Sequence, residues 1–170
     1  MKIFRLGIST LLLCVALPAP AAESTAKIAL TRAAAIVSPA AYLDYARELT
    51  MHALALIGVN YKFGSNSPEA GFDCSGLVSH VFQEVAGIVL PRNSQSMSKV
   101  GEKIAPADLQ PGDLVFFNTR RQAFSHVGIY IGEERFVHAP RRGREVEVGD
   151  MQDSYWKKHF NGARRVVASD

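Results

Sequence analysis

The chain has 170 residues, 48% apolar and 21% charged, with a formal net charge of +3. A mean hydropathy of +0.04 with 9% aromatics describes an ordinary globular protein and excludes disordered and collagen-like chains. The length fits one domain. So small a positive surplus, with Arg141-Arg142-Gly143-Arg144 as the densest basic run, excludes nucleic acid as the main partner.

Residues 1–21 read as a signal peptide. Lys2 and Arg5 precede an uncharged apolar stretch over 6–17, and Ala19 and Ala21 fit a small-x-small site with cleavage after Ala21. The stretch is shorter than the roughly 20 residues of a spanning helix, so no integral membrane anchor is expected. Cys14 follows Leu13, where lipoprotein processing needs a small side chain. The expectation is an exported protein, periplasmic or extracellular. Cleavage removes Lys2, Arg5 and one of the 2 cysteines, leaving a nearly neutral chain whose single thiol is Cys74. Exported proteins use cysteine mainly in disulfides, so an unpaired thiol is expected to be either buried or chemically active.

Residues 22–40 are Ala-rich and read as a tether or weak helix, and 41–170 as the folded domain. Over 41–57, Leu43, Ala46, Leu49, Ala53, Leu54 and Ile57 recur at helical spacing, and Gly58 is a natural stop. Residues 60–73 are a loop by composition. A second helix starts at Asp73, a good N-cap, with Leu77, Val78, Val81, Phe82 and Val85 as its apolar face and Gly87 at its end. Beyond about residue 88 the pattern changes to strands. Pro111-Gly112-Asp113 is a turn opening Leu114-Val115-Phe116-Phe117. Ser125-His126-Val127-Gly128-Ile129-Tyr130-Ile131 and Arg135-Phe136-Val137-His138 read as a hairpin around Gly132-Glu133-Glu134. Val146 and Val148 suggest another strand, and Arg164-Arg165-Val166-Val167 a last one. Helices followed by strands argue an α+β fold with a segregated antiparallel sheet.

Cys74 falls in the first turn of the second helix, where free amides and the helix dipole favour a thiolate. Ser75 and Gly76 keep its surroundings small. A nucleophile needs a base, and the base needs an orienting partner. Alternation puts Val127, Ile129 and Ile131 on the core face of their strand and His126, Gly128 and Tyr130 on the other. His138 shares a face with Phe136, and the hairpin brings the two imidazoles side by side. One takes the thiol proton and the other fixes its tautomer. His52, on a helix without a partner, His80 and His159 weigh less. A zinc site built from Cys74, His126 and His138 is the rival use, but no C-x-x-C or H-E-x-x-H string occurs. A G-x-S-x-G elbow is absent too.

Five ordered blocks carry a resemblance. They are Phe72-Asp73-Cys74-Ser75-Gly76-Leu77-Val78, Leu90-Pro91-Arg92, Gln110-Pro111-Gly112-Asp113-Leu114-Val115-Phe116-Phe117, Ser125-His126-Val127-Gly128-Ile129-Tyr130-Ile131-Gly132 and Phe136-Val137-His138-Ala139. Over about residues 46–167 the chain resembles an NlpC/P60 cysteine peptidase. That resemblance implies a reduced papain-like core, with a catalytic helix packed on an antiparallel sheet. It also implies hydrolysis of peptide bonds in the stem peptides of peptidoglycan. By position, Cys74 matches the nucleophile, His126 the general base and His138 the residue that orients it. Tyr61 matches a tyrosine whose hydroxyl lies by the oxyanion, the Cys74 amide being the other donor; packing against the core is its alternative. Asp73 and Ser75 match residues that hold a substrate's amino end in some members, although capping explains Asp73 equally well. Arg92 is either a partner for a stem-peptide carboxylate or an exposed loop arginine. Ser65 departs from the second glycine usual after the tyrosine segment.

No metal and no cofactor are implied, and no regulatory partner is legible. The favoured bond is D-γ-glutamyl–diaminopimelate, with the D-Ala–diaminopimelate cross-link as the other candidate. Two further readings stay open: a non-catalytic wall-binding or scaffold domain, and a thiol acyltransferase or amidase acting on another substrate.

Overall fold

The computed structural model describes residues 39–119 and 122–167. The signal segment and nearly all of the tether lie outside the described residues. The first helix, α1, runs Pro39–Ala55, starting slightly ahead of the expected position, and a turn over 56–58 follows it. Its inner face is Ala46, Leu49 and Ala53, whereas Leu43 and Ile57, also expected inside, are exposed.

The 60–73 segment is more ordered than its composition suggests. It holds a small antiparallel pair, β1 (Asn66–Ser67) and β2 (Gly71–Phe72), which turns the chain directly into helix α2 (Cys74–Ala86). Asp73 caps α2 as expected: the Gly76 amide donates to its carboxylate at 2.7 Å. The other end closes at Gly87, whose φ of +68° is left-handed and available to glycine at little cost. Leu77, Val78, Val81 and Phe82 are fully buried between α1 and the sheet.

A short helix, α3 (Ser94–Met97), and β3 (Glu102–Ile104) follow, neither expected from sequence. The main sheet adds β4 (Leu114–Phe117), β5 (His126–Gly132), β6 (Arg135–His138), β7 (Glu147–Asp150) and β8 (Phe160–Arg165). Its order is β3-β8-β4-β5-β6-β7, antiparallel throughout, which is the expected α+β arrangement. The last strand lies earlier than expected: it ends at Arg165, and Val166 and Val167 fall beyond it. Arg165 donates twice to the fully buried Asp113 at 2.8 Å, locking β8 to the turn before β4.

The sheet is buried on both faces. Val127, Ile129 and Phe116 join α1 and α2 in the larger core. The histidine side of β5, expected to be free of core, packs instead into a second aromatic cluster with Val115, Phe117, Tyr130 and Phe136. Trp156, from a short helix α4 (Ser154–His159), closes that cluster. Alternation separates the two faces of β5 but does not show that the side with the histidines is covered as well.

Candidate active site

The start of α2 is built around Asp73. Arg92 grips its carboxylate with both terminal nitrogens, at 2.8 and 3.0 Å, and the Gly64 amide donates to it at 2.8 Å. The Ser75 hydroxyl donates to Arg92's carbonyl at 2.9 Å and lies 3.1 Å from the same carboxylate. Burial pushes the Asp73 carboxyl pKa up, but the Arg92 hydrogen bond and the Gly76 and Gly64 amides outweigh burial and hold it below the usual range. Asp73 is therefore ionised, and its charge is answered by Arg92.

Besides keeping the surroundings of Cys74 small, Gly76 is required by its packing. An added Cβ would lie 2.0 Å from the Ser65 carbonyl oxygen. That same oxygen accepts from the Asp73 amide at 3.1 Å and from Arg92 at 3.0 Å. The loop before the helix is thus pressed against its first turn. Ser65, where the family pattern has glycine, contributes its backbone to this contact.

Cys74 is half-buried at the helix start and lines a cavity of about 330 Å³ with Tyr61, Phe63, Gly64, Asp73, Ser75, Arg92 and Ser125 among its walls. Tyr61 is held there by pairing outside the sheet: its amide donates to the Arg144 carbonyl at 2.8 Å, beside an Asn60–Glu145 bridge. All four residues expected on this side of the cleft, Tyr61, Asp73, Ser75 and Arg92, therefore meet around the cysteine.

The two expected histidines also meet. His126 and His138 are 3% and 1% exposed, and His126 Nε2 stands 2.9 Å from His138 Nδ1. Their rings are perpendicular, with centroids 5.0 Å apart. Burial, then the neighbouring His126 and Arg144, push the His138 pKa far below the imidazole range, so His138 is neutral. Its other ring nitrogen, Nε2, faces Glu147 Oε1 at 3.8 Å, across the β6–β7 register pair His138–Glu147. Glu147 is itself paired with Arg144. His52, in contrast to the expectation, does have a neighbour: its ring lies 5.7 Å from that of His80, which packs on Phe72. Neither lines the cavity that Cys74 lines.

Trp156, Glu147 and Arg144 were not singled out from sequence. Trp156 stacks on His126 at 5.6 Å and 25° and meets His138 edge-on at 4.9 Å, fixing both imidazoles from one side. It is the chain's single tryptophan, and it follows the N-cap Asp153, the one local signal that marked its helix. Among the described residues, no group of three or more His, Cys, Asp or Glu side chains is arranged to hold a metal ion. No described helix is long and apolar enough to cross a membrane.

Known proteins match this arrangement. The chain is 48% identical over 110 residues to Gamma-DL-glutamyl hydrolase of Bacillus subtilis, covering 64% of this chain and 26% of that protein. It is 40% identical over 114 residues to Murein DD-endopeptidase MepH of Escherichia coli, covering 65% of this chain and 42% of that protein. A solved NlpC/P60 family protein from Bacillus cereus superposes with a TM-score of 0.66 at 33% identity, over 71% of this chain and 39% of that one. The match thus spans less than half the length of each of these relatives. The NlpC/P60 family model matches residues 58–165. On this match, which takes in both the cysteine helix and the histidine strands, the chain belongs to the NlpC/P60 family.

Proposed function

We propose that this protein is an exported cysteine peptidase that hydrolyses peptide bonds in peptidoglycan stem peptides. The observation that carries the reading is the imidazole pair: one nitrogen of His126 is committed to a neutral, buried His138, so proton exchange with a thiol falls to its other nitrogen. Cys74 supplies that thiol at the start of a capped helix and at the wall of an open cavity.

In the mechanism, Cys74 Sγ gives its proton to His126 Nδ1, and the thiolate attacks the amide carbonyl carbon. The new C–S bond pushes charge onto the carbonyl oxygen, which the Cys74 amide and the Tyr61 hydroxyl receive. Each such donor contributes about 2.7–4 kcal/mol to the transition state. The intermediate collapses as the C–N bond breaks, and the departing amine takes the proton from His126. Water then gives a proton to His126 and attacks the thioester, releasing the acid and restoring the thiol. In this scheme His126 Nε2–H donates to His138 Nδ1 throughout. His138 then carries its own proton on Nε2, on the side of the Glu147 carboxylate.

Asp73 and Arg92 shape the acyl side of the cleft. Their charges are largely spent on each other and on the helix cap, so their main effect is to hold the first turn of α2 in place. Ser75 acts with them. Export rests on the charged, apolar and Ala-x-Ala pattern of residues 1–21.

Both candidate bonds have support in the names of the relatives, one a γ-DL-glutamyl hydrolase and one a DD-endopeptidase. The higher identity to the first favours the γ-glutamyl bond. Mass spectrometry of defined wall fragments after incubation with the chain tests this. Stems cut after D-glutamate support the γ-glutamyl assignment, and cross-linked dimers resolved to monomers move it to the cross-link. Fragments left intact at every concentration would favour a wall-binding module.

A further inference from the structure

Beside the histidine pair lies a second cavity, of about 490 Å³, lined by Thr119, His126, Arg141, Arg144, Glu147 and Trp156 with two neighbours. Consecutive residues connect it to the cysteine side: Ser125 lines the cavity of Cys74 and His126 lines this one. The chemistry of amide cleavage assigns the two sides different halves of a substrate. The acyl half becomes bonded to Cys74, whereas the amine half must leave from beside the group that protonates it. Given the peptidase reading above, that group is His126, so the amine half rests in the His126 cavity.

The charges of the two cavities differ. On the cysteine side the Asp73 and Arg92 charges answer one another. Among the described residues, the histidine side holds two arginines and one carboxylate. Arg144 is paired with Glu147, whose other face is turned to His138. Arg141 is exposed at the rim, and its side chain makes no ion pair with another described residue. It is the surplus cation of the cavity. The floor, Trp156 stacked on His126, is flat and aromatic and holds the imidazole still. An aromatic floor with an exposed guanidinium at its rim suits a small fragment that carries a carboxylate close to its amine, because arginine presents paired donors that match a carboxylate.

We propose that this cavity is the subsite for the departing amine half, and that Arg141 makes it select fragments whose carboxylate next to the scissile nitrogen is free. Arg144 supports it by pairing with Glu147, which lines the same cavity. In a stem that ends at the departing residue this carboxylate is free, whereas in a longer stem it is tied up in the next peptide bond, so the contact sorts stems by where they end.

The test compares two synthetic stem-peptide substrates that differ only in that group, one a free carboxylate and one a primary amide. Each is assayed with the full chain, with Arg141→Gln and with Arg142→Gln, a neighbouring arginine that does not line the cavity. The wild-type chain is expected to prefer the acid by about tenfold or more in kcat/KM, as a charge-assisted contact predicts. Arg141→Gln is expected to bring the ratio to within about threefold of unity, and Arg142→Gln to keep the wild-type ratio. Equal turnover of acid and amide by the wild type overturns the proposal, as does an equal loss of preference in both variants. Failure of the wild-type chain to cut either substrate overturns the peptidase reading itself, and this proposal with it.

Discussion

His126 Nε2 and His138 Nδ1 are 2.9 Å apart, both buried, with Trp156 packed against the two rings. Two adjacent imidazoles cannot both hold a charge in so dry a place. Because His138 is pushed to the neutral form, the positive charge that develops during proton transfer from Cys74 is confined to His126.

This pairing makes a sharp distinction between two substitutions at one position. In His138→Asn, the amide oxygen sits one bond from Cγ, as Nδ1 does, and remains an acceptor for His126. In His138→Ala that acceptor is gone. The alanine variant is expected to lose about 10²–10⁴-fold in kcat, in line with removal of the orienting member of a triad, and the asparagine variant to recover most of it. Steady-state kinetics on a single stem-peptide substrate checks this. Equal loss in both would assign His138 to packing alone.

The neutral state of His138 also gives stability a pH dependence. Unfolded, its imidazole binds a proton below about pH 6.5; folded, it resists doing so. The unfolded chain therefore holds more protons, and stability falls as pH drops below about 6.5, by up to about 1.4 kcal/mol per pH unit from this group. His80, lowered first by burial and also by His52, changes in the same direction. Asp73 acts lower: its depressed carboxyl contributes stability above about pH 4 that is lost as it protonates. Urea unfolding between pH 7.5 and 4.5 is expected to show the loss, with a shallower slope in His138→Asn. A flat profile would contradict a neutral His138.

Gly76→Ala sets helix propensity against sterics. In an open helix the change gains up to about 1 kcal/mol. Here the new methyl meets the Ser65 carbonyl at 2.0 Å, a backbone atom already bonded to Asp73 and Arg92. The net effect is expected to be destabilisation, by about 1–3 kcal/mol or more, together with loss of activity as the loop carrying Tyr61 is pushed from Cys74. A raised melting temperature would show that the loop yields freely.

The Asp73–Arg92 pair predicts non-additivity. Arg92→Gln leaves a buried carboxylate with fewer donors, and Asp73→Asn weakens the cap; each is expected to cost about 1–2 kcal/mol, the lower end for Arg92 because it is 41% exposed and screened. Once one partner is gone, removing the other costs less. A double-mutant cycle by denaturant unfolding is expected to give a coupling near 1 kcal/mol. Strict additivity would mean that the two residues stabilise the turn independently.

What was legible in the sequence was local. Asp73 as cap, Cys74 in the first turn and Gly87 as stop follow from side-chain chemistry within a few residues. The β5–β6 hairpin follows from alternation around one turn, and with it the meeting of His126 and His138. What was not legible depends on long-range pairing. Glu147 reaches His138 only through the β6–β7 register, and Trp156 reaches the imidazoles only because α4 folds over the second face of the sheet. β3 and β8 pair across some sixty residues, which is why the last strand was placed too late by its valines. The steric demand on Gly76 is hidden from the sequence for a similar reason. Its neighbour is a carbonyl eleven positions earlier, brought close by the β1–β2 turn.

The central claim is that Cys74 becomes acylated by the substrate. Mixing the chain with a stem peptide, quenching in acid within the first turnovers and measuring intact and digested masses tests it directly. The account predicts an adduct equal to the acyl half of the substrate, located on the peptide containing Cys74, with neither adduct nor product from Cys74→Ala. Product formation by Cys74→Ala at the wild-type rate, or an adduct on another residue, would contradict it.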